Sequence, residues 1–363
     1  MKQNLSHRLN SRFLISLVTL VALVFGSFNL EASDTEGHGE KKAFNMSEMI
    51  MHHVSDGHSV HIWGDVYLPL PVILYNKNSG LEFFMSNNLY DVEHGHQVNK
   101  PYTASSGVTY MNSHGIGVQG EDPHHSSVID FSITKSLLGM FIALFLVLLI
   151  FTTAAKGYAK REGKAPKGIQ NVVEPFVIFL RDELIIPSVG KKHAARFTPF
   201  LLTIFFFIWT ANMLGLVPFL GGFNVTGTLS ITLVLAGMVF IITTVNGNKH
   251  YWGHILWPPG VPLPIKLILV PIEVLSIFIK PAVLMVRLTA NITAGHIIIL
   301  SFVGLILMVG QNSFGGGIAV AVGSVAFMIF MFFIELLVAF IQAYVFTLLT
   351  ALYFGEATQE AHH

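Results

Sequence analysis

Two apolar stretches near the C-terminus, residues 266–309 and 318–354, constrain this chain more than any other feature. A helix of about 40 residues runs to roughly 60 Å at about 1.5 Å per residue, twice the thickness of a hydrocarbon core of about 30 Å. Such helices cannot cross a bilayer upright, so they tilt strongly or lie partly in the membrane plane. Composition excludes a soluble fold: 52% of residues are hydrophobic and 12% charged, against about 25% charged in soluble domains. Three further apolar runs, 136–155, 197–219 and 229–246, are long enough to cross. The expected fold is an all-α integral membrane protein with about five spans, the last two long and tilted, plus a small N-terminal extramembranous region.

The remaining segments orient the chain. Lys2, Arg8 and Arg12 precede an apolar stretch over 13–28, the pattern of a secretory signal, and residues 1–32 are expected to be that signal. Leu30 is an imperfect residue for the cleavage site, so an uncleaved anchor stays open. Residues 33–133 form a His- and Gly-rich extracytoplasmic region, with short strands expected at 66–74 and 81–85 and a turn at 76–80. The membrane domain occupies 134–363. After its first span come Lys156, Lys160, Arg161, Lys164 and Lys167, then Lys191, Lys192 and Arg196. Basic loops face the cytoplasm, which puts the N-terminus outside and the C-terminus inside. Residues 172–186 carry Glu174, Arg181, Asp182 and Glu183 beside an apolar face, as in an amphipathic helix on or dipping into the membrane. Lys249 and the stretch 257–262 belong to a later cytoplasmic loop, and 311–317 connects the two long helices. Net charge is zero, which gives no sign of a nucleic-acid partner, and cysteine is absent.

The chemistry lies inside the two long helices. Glu273, Lys280, Arg287, Asn291 and His296 interrupt the first. A central arginine costs about 2.5–3.5 kcal/mol on insertion scales, so such residues usually mark a pathway. At about 100° per residue, Glu273, Lys280 and Asn291 fall within about 40° of Arg287, while His296 lies about 180° away. Arg287 and Asn291 therefore face one partner and His296 another. In the second helix, Glu335 and Gln342 share a face. A carboxylate there, with an imidazole on the neighbouring helix, is suited to taking up and releasing protons.

These residues carry a resemblance. Arg287-Leu288-Thr289-Ala290-Asn291 with Gly295-His296, and Glu335 followed by Gln342-Ala343-Tyr344, resemble subunit a of F-type ATP synthases. Phe197-Thr198-Pro199-Phe200 through Asn212-Met213-Leu214-Gly215-Leu216-Val217-Pro218 is similar to that family's second span. The resemblance covers about residues 130–355 and leaves the histidine-rich extension unexplained. It implies a non-catalytic stator subunit of the bacterial inner membrane, working with a rotor ring of c subunits and a peripheral stalk of b subunits, with no cofactor. It implies that Arg287 meets each rotor carboxylate and separates two half-channels. His296 and Glu335 match the polar pair of the outer half-channel, an arrangement that needs the two close together. Asn291 and Gln342 match polar positions beside the arginine, and Glu273 a cytoplasmic half-channel position with Ser276 and Lys280 nearby. Gly215 stands where some members have an acidic residue.

Blander readings compete at several positions. Lys280 is expected to snorkel to the interface rather than work, and Glu273 can be a headgroup-level charge. His52, His53, His58, His61, His94, His96, His124 and His125 can bind zinc or copper, but no spacing among them resembles a defined metal site, and His362 and His363 add nothing. A free-standing metal transporter with the histidines as collectors is the alternative function. Such transporters commonly have duplicated halves, and no internal duplication is seen. A membrane-anchored binding protein leaves the buried arginine and carboxylate unexplained.

Overall fold

In a computed structural model of the chain, residues 56–63, 66–93, 96–112, 116–119, 127–160, 165–217, 223–312 and 314–359 are described, with Met46 and Ile50. The expected signal, 1–32, lies outside the described residues, as do His52, His53, His94, His124, His125, His362 and His363.

The segment ahead of the first long helix is antiparallel β structure. β1 (Ser59–Trp63) pairs with β2 (Val66–Pro69), and β3 (Pro71–Asn76) lies between β4 (Gly80–Met85) and β10 (Val128–Asp130). β5 (Tyr90–Glu93) pairs with β6 (His96–Asn99), and β8 (Thr109–Asn112) lies between β7 (Tyr102–Thr103) and β9 (Ile116–Val118). The single strand expected over 66–74 is broken at Leu70. Pro69 and Pro71 flank that residue and lack the N–H a ladder needs. The Leu70 amide is instead shared between the His58 carbonyl at 3.2 Å and the Ser86 hydroxyl at 3.0 Å. The turn after β3 is as expected: Asn76 Oδ1 accepts the Asn78 amide at 2.8 Å, and Gly80 adopts a φ of 86°. Val72, Leu74, Phe84, Leu89, Tyr110 and Ile116 make the β core. Val60 and Leu70 join the core of the helices instead, so the β region is seated on one end of the bundle.

The helices follow in order: α1 (Lys135–Lys160), α2 (Ile169–Phe179), α3 (Ile186–Val189), α4 (Lys191–Leu216), α5 (Leu229–Asn246), α6 (Lys249–Leu256), α7 (Leu263–Asn312) and α8 (Phe314–Thr358). Five of them, α1, α4, α5, α7 and α8, are long and apolar enough to cross a membrane. Their ends extend past the expected spans, because the flanking lysines continue the helix: Lys160 closes α1, while Lys191 and Lys192 open α4.

Two expectations are corrected, and a third gains detail. The amphipathic segment packs one side into the helical bundle. α2 continues through a π-helical turn, Leu180–Ile185, into α3, and Leu180, Leu184 and Ile185 are fully buried in the bundle. Phe176 packs its ring against Trp209 at 5.1 Å and Phe340 at 6.2 Å, tying this element to α4 and α8. The loop expected after α5 contains a helix, α6. It is fastened to the end of α8, since the Asn248 amide donates to the Ala357 carbonyl at 2.9 Å and its side chain to the Thr358 carbonyl at 2.9 Å. Pro258 and Pro259 just beyond cannot continue it. The connector expected over 311–317 shrinks, because α7 runs to Asn312 and α8 resumes at Phe314.

α7 and α8, of 50 and 45 residues, form a long antiparallel hairpin. Leu284 and Leu288 from α7 and Ala339, Ala343 and Ala351 from α8 are almost fully buried. Small residues at such a seam let apolar helices approach closely. The far side of the hairpin stays open: Phe278, Val286, Phe330, Phe333 and Leu337 are exposed large apolar residues.

Candidate functional site

The polar residues of the long helices gather at two places. At the end nearer the β region, Asn212 and Leu216 of α4, Asn291, Ile292 and His296 of α7, and Glu335 and Val338 of α8 line one narrow cavity. Glu335 is 8% exposed, and its Oε2 has no hydrogen-bond partner among the described residues. An uncompensated buried carboxylate is costly, so its retention here points to use rather than packing. Glycine makes room for it: a Cβ on Gly295 would collide with the Glu335 carboxylate. Gly215 does the same for the imidazole, because a Cβ there would stand 3.6 Å from His296 Nε2 and only 2.8 Å from the Phe223 carbonyl. Gly215 therefore abuts His296, and the space beside it is left to the imidazole.

Neutral hydrogen bonds brace the cavity. Asn212, 2% exposed, donates from Nδ2 to the Ala339 carbonyl at 3.2 Å and accepts from Thr226 Oγ1 at 2.5 Å. Asn291 Nδ2 donates to Gln342 Oε1 at 2.9 Å, joining α7 to α8. Thr232 of α5 and Thr289 of α7 share a hydrogen bond at 2.7 Å. Next to this network Arg287 stands exposed on the open side, and among the described residues no carboxylate pairs with it. The angular separation expected between Arg287 and His296 holds. Asn291 departs from it, bordering the same cavity as His296.

The second place is at the opposite end, where α5, α6 and the end of α8 meet the start of α7. Val239, Thr243, Tyr251, Ile277, Lys280, Tyr353 and Glu356 line a shallow pocket. Lys280 Nζ donates to Glu356 Oε2 at 2.5 Å and sits 5.3 Å from the Tyr353 ring centre. Lys280 thus braces the ends of α7 and α8 rather than reaching out alone. Glu273 is half-buried nearby, with Ser276 Oγ donating to its carbonyl at 2.7 Å. Burial first, then the charges of Glu356 and Glu273, raises the Tyr251 hydroxyl above its ordinary value.

Of the six residues singled out from sequence, five (Arg287, Asn291, His296, Glu335 and Gln342) fall in one neighbourhood, and Glu273 sits apart at the other end. Sequence reasoning missed Asn212 and Glu356 as contributors. Asn212 stood inside a quoted motif, but nothing in its spacing aimed it at α8. His58 pairs with Asp130 at 3.1 Å, and the His61 ring stacks near Tyr67 at 4.6 Å. Among the described residues no three metal-binding side chains gather.

Comparison with known proteins adds two family matches and a set of similar proteins. Residues 49–131 match a domain of unknown function (DUF8433), so the β region is a unit found elsewhere. ATP synthase subunit a of Myxococcus xanthus is 39% identical over 276 residues, covering 72% of this chain and 84% of that protein. ATP synthase subunit a of Chlorobium phaeobacteroides is 32% identical over 356 residues, covering 95% of this chain and 85% of its own length. A second subunit a from Chlorobaculum tepidum is 43% identical over 237 residues, 63% of this chain and 64% of that protein. The family described as ATP synthase A chain matches residues 137–355, from the first turn of α1 to the end of α8, and the chain belongs to that family.

Proposed function

We propose that this multi-pass membrane protein is the proton-conducting stator subunit of an F-type ATP synthase. It hydrolyses nothing itself and couples proton flow to rotation of a ring of c subunits, with b subunits as peripheral stalk. The observation that carries the reading is Arg287, a cation exposed on the open side of the α7–α8 hairpin, without a carboxylate partner among the described residues, between two polar sites at opposite ends. An unpaired arginine among exposed apolar residues is the surface a passing rotor carboxylate needs.

The mechanism follows from charge. A fixed cation favours the ionised form of a carboxylate brought beside it, so a rotor site is stripped of its proton at Arg287 and reloads only after moving on. The cavity of His296, Glu335 and Asn212 serves as the outer half-channel, and Glu273 with Ser276 borders the cytoplasmic one. Arg287 between them repels protons and prevents a direct leak. Asn291 and Gln342, hydrogen-bonded to each other, hold the two long helices in register beside it. Lysine is a poor replacement for Arg287, because a compact ammonium loses its proton when desolvated. The β region faces outward and both the basic loops and the C-terminus face the cytoplasm, in line with Lys156, Lys160, Lys167, Lys191, Lys192 and Arg196 at the end remote from the β region.

The test is ATP-driven proton uptake by inverted membrane vesicles at equal complex abundance. Arg287→Ala is expected to abolish uptake while the complex stays assembled. Undiminished uptake removes Arg287 from the mechanism and favours a free-standing transporter.

A further inference from the structure

The sheet of β3, β4 and β10 is patterned backwards for a surface that meets water. β3 lies between the other two, and alternate residues of each strand point to opposite faces. One face turns to the β core, where Val72, Leu74 and Phe84 pack beside Tyr110 and Ile116. The polar side chains share this inward face. Asn76 and Glu82 are buried on it. Asn76 Nδ2 donates to the Tyr110 hydroxyl at 3.2 Å, and the hydroxyls of Ser79, Ser106 and Tyr110 donate to Glu82 Oε1.

The outward face is apolar throughout. The register sets Ile129 beside Tyr75 and Tyr75 beside Leu81 in one row, with Ile73 beside Phe83 in the next. Phe131 joins that second row, because its amide donates to the Ile73 carbonyl at 2.9 Å. Pro71 and Met85 make a third. Leu81 is 72% exposed, Phe83 68% and Phe131 62%, and Ile129, Tyr75 and Met85 are exposed as well. No charged side chain interrupts the three rows. An antiparallel sheet with one solvated face ordinarily turns polar residues to water. A contiguous exposed apolar face instead marks a surface that something covers.

We propose that this face rests in the lipid headgroup layer of the leaflet on its own side of the membrane, so that the β region is seated on the bilayer rather than held in water. Its continuity with α1 names the occupant. The β3–β10 ladder runs on past β10, with the Ile133 amide donating to the Pro71 carbonyl at 3.2 Å, and Lys135 then opens the first span. The four steps from Phe131 to Lys135 cover at most about 14 Å of extended chain. Strands about 4.8 Å apart keep Phe83 within about 10 Å of Phe131. The row of Phe131, Ile73 and Phe83 is therefore tethered at the threshold of the bilayer. Beyond that threshold Phe141, Phe145 and Leu148 of α1 are exposed and apolar, the side of a span that lipid covers. Exposed apolar surface thus stands on both sides of the point where the chain enters the membrane. At the far end of the sheet the character changes, since Lys77, Asn78 and Ser79 in the turn between β3 and β4 are exposed and polar. Aromatic rings among aliphatic neighbours suit the headgroup layer, where the Tyr75 hydroxyl stays wet. This seat is independent of the proton path.

The experiment is nitroxide labelling of the whole complex in liposomes. The chain has no cysteine, so Phe83→Cys and Leu81→Cys each place one label on it, and the signal of labelled wild-type complex is subtracted. Both side chains are exposed, so neither substitution removes core packing. Relaxation of the label by oxygen, which concentrates in lipid, is compared with relaxation by a water-soluble nickel chelate. At positions 83 and 81 oxygen is expected to relax the label more than the chelate does, as for Phe145→Cys on α1. Asn78→Cys in the polar turn is expected to show the reverse. Stronger relaxation by the chelate at 83 and 81 means that the face meets water, and overturns the proposal. Weak relaxation by both reagents means that protein covers the face, whether another subunit or a second copy, and overturns it equally. If Phe83→Cys does not assemble, Leu81→Cys decides alone.

Discussion

Helix α8 carries two carboxylates, Glu335 at the middle of its length and Glu356 in its last turn, and the two are treated differently. Glu335 is 8% exposed, with one oxygen unpartnered among the described residues, against a glycine that leaves it space. Glu356 is 51% exposed and satisfied by Lys280, itself 38% exposed. An exposed ion pair is worth about 0–1 kcal/mol and does little beyond fastening two helix ends. A buried carboxylate without a cation is held against a desolvation cost, and the proton exchange proposed for Glu335 gives that cost a purpose. The difference teaches that position in the apolar run, rather than residue type, decides whether a carboxylate is buried with an oxygen unmet among the described residues or exposed and paired.

The largest effect expected from that contrast is in paired substitutions. Glu335→Gln should lower ATP-driven proton pumping about a hundredfold or more, the scale on which a positioned acid–base group acts. Glu356→Gln should lower it by about fivefold at most, the equivalent of an exposed pair. Equal losses, measured in inverted vesicles at matched abundance, would break the comparison. Next in size is Gly295→Ala. Its methyl group overlaps the Glu335 carboxylate, and overpacking of this kind costs about 1–3 kcal/mol. Reduced thermal stability of the assembled complex, together with slowed pumping, is the expected result. A neutral outcome in both would mean that Glu335 has another rotamer to occupy.

Much of this was legible in the sequence, for physical reasons. Runs of apolar residues locate helices in lipid, since a backbone there must satisfy itself internally. The angular arithmetic that put Glu335 and Gln342 on one face needs only helical geometry. What escaped depends on contacts distant in sequence. The π-helical turn at Leu180–Ile185 is invisible because its charges, Arg181 and Asp182, pair with each other at 2.7 Å on the outside while Leu180 and Leu184 go in. Lys135 reads as a flanking lysine at the start of a span, yet it is 8% exposed, its amide on the Gly57 carbonyl far back in the sequence. α6 was hidden because its fastening to Ala357 and Thr358 lies more than a hundred residues away.

A smaller effect sharpens the comparison within the buried site. Gln342→Leu removes the acceptor of the Asn291 side chain, a hydrogen bond at 2.9 Å. Such a bond contributes about 1 kcal/mol, and Asn291 is exposed enough to find water instead. Pumping should fall by about fivefold or less, well short of Glu335→Gln. A loss as complete as that of Glu335→Gln would move Gln342 from a bracing role into the proton path.

The smallest effect lies outside the membrane, where the carboxylate of Asp130 offers a third treatment. Burial pushes this carboxyl up, but hydrogen bonds from His58, the Ser132 hydroxyl and the Ser132 amide outweigh that and hold it below its ordinary value of 3.8. A group whose folded value is depressed stabilises the fold above its unfolded value, and that contribution is lost as pH falls through the folded one. The seat of the β region should therefore hold from neutral pH down to about 4 and loosen below it. Hydrogen exchange at the Phe131 amide, which donates to the Ile73 carbonyl at 2.9 Å, reports on this seat. Protection should fall in the acid range in wild type and be low and pH-independent in Asp130→Asn. If wild-type protection persists below pH 3, the β3–β10 pairing and the Val60 and Leu70 contacts hold the seat without the carboxylate.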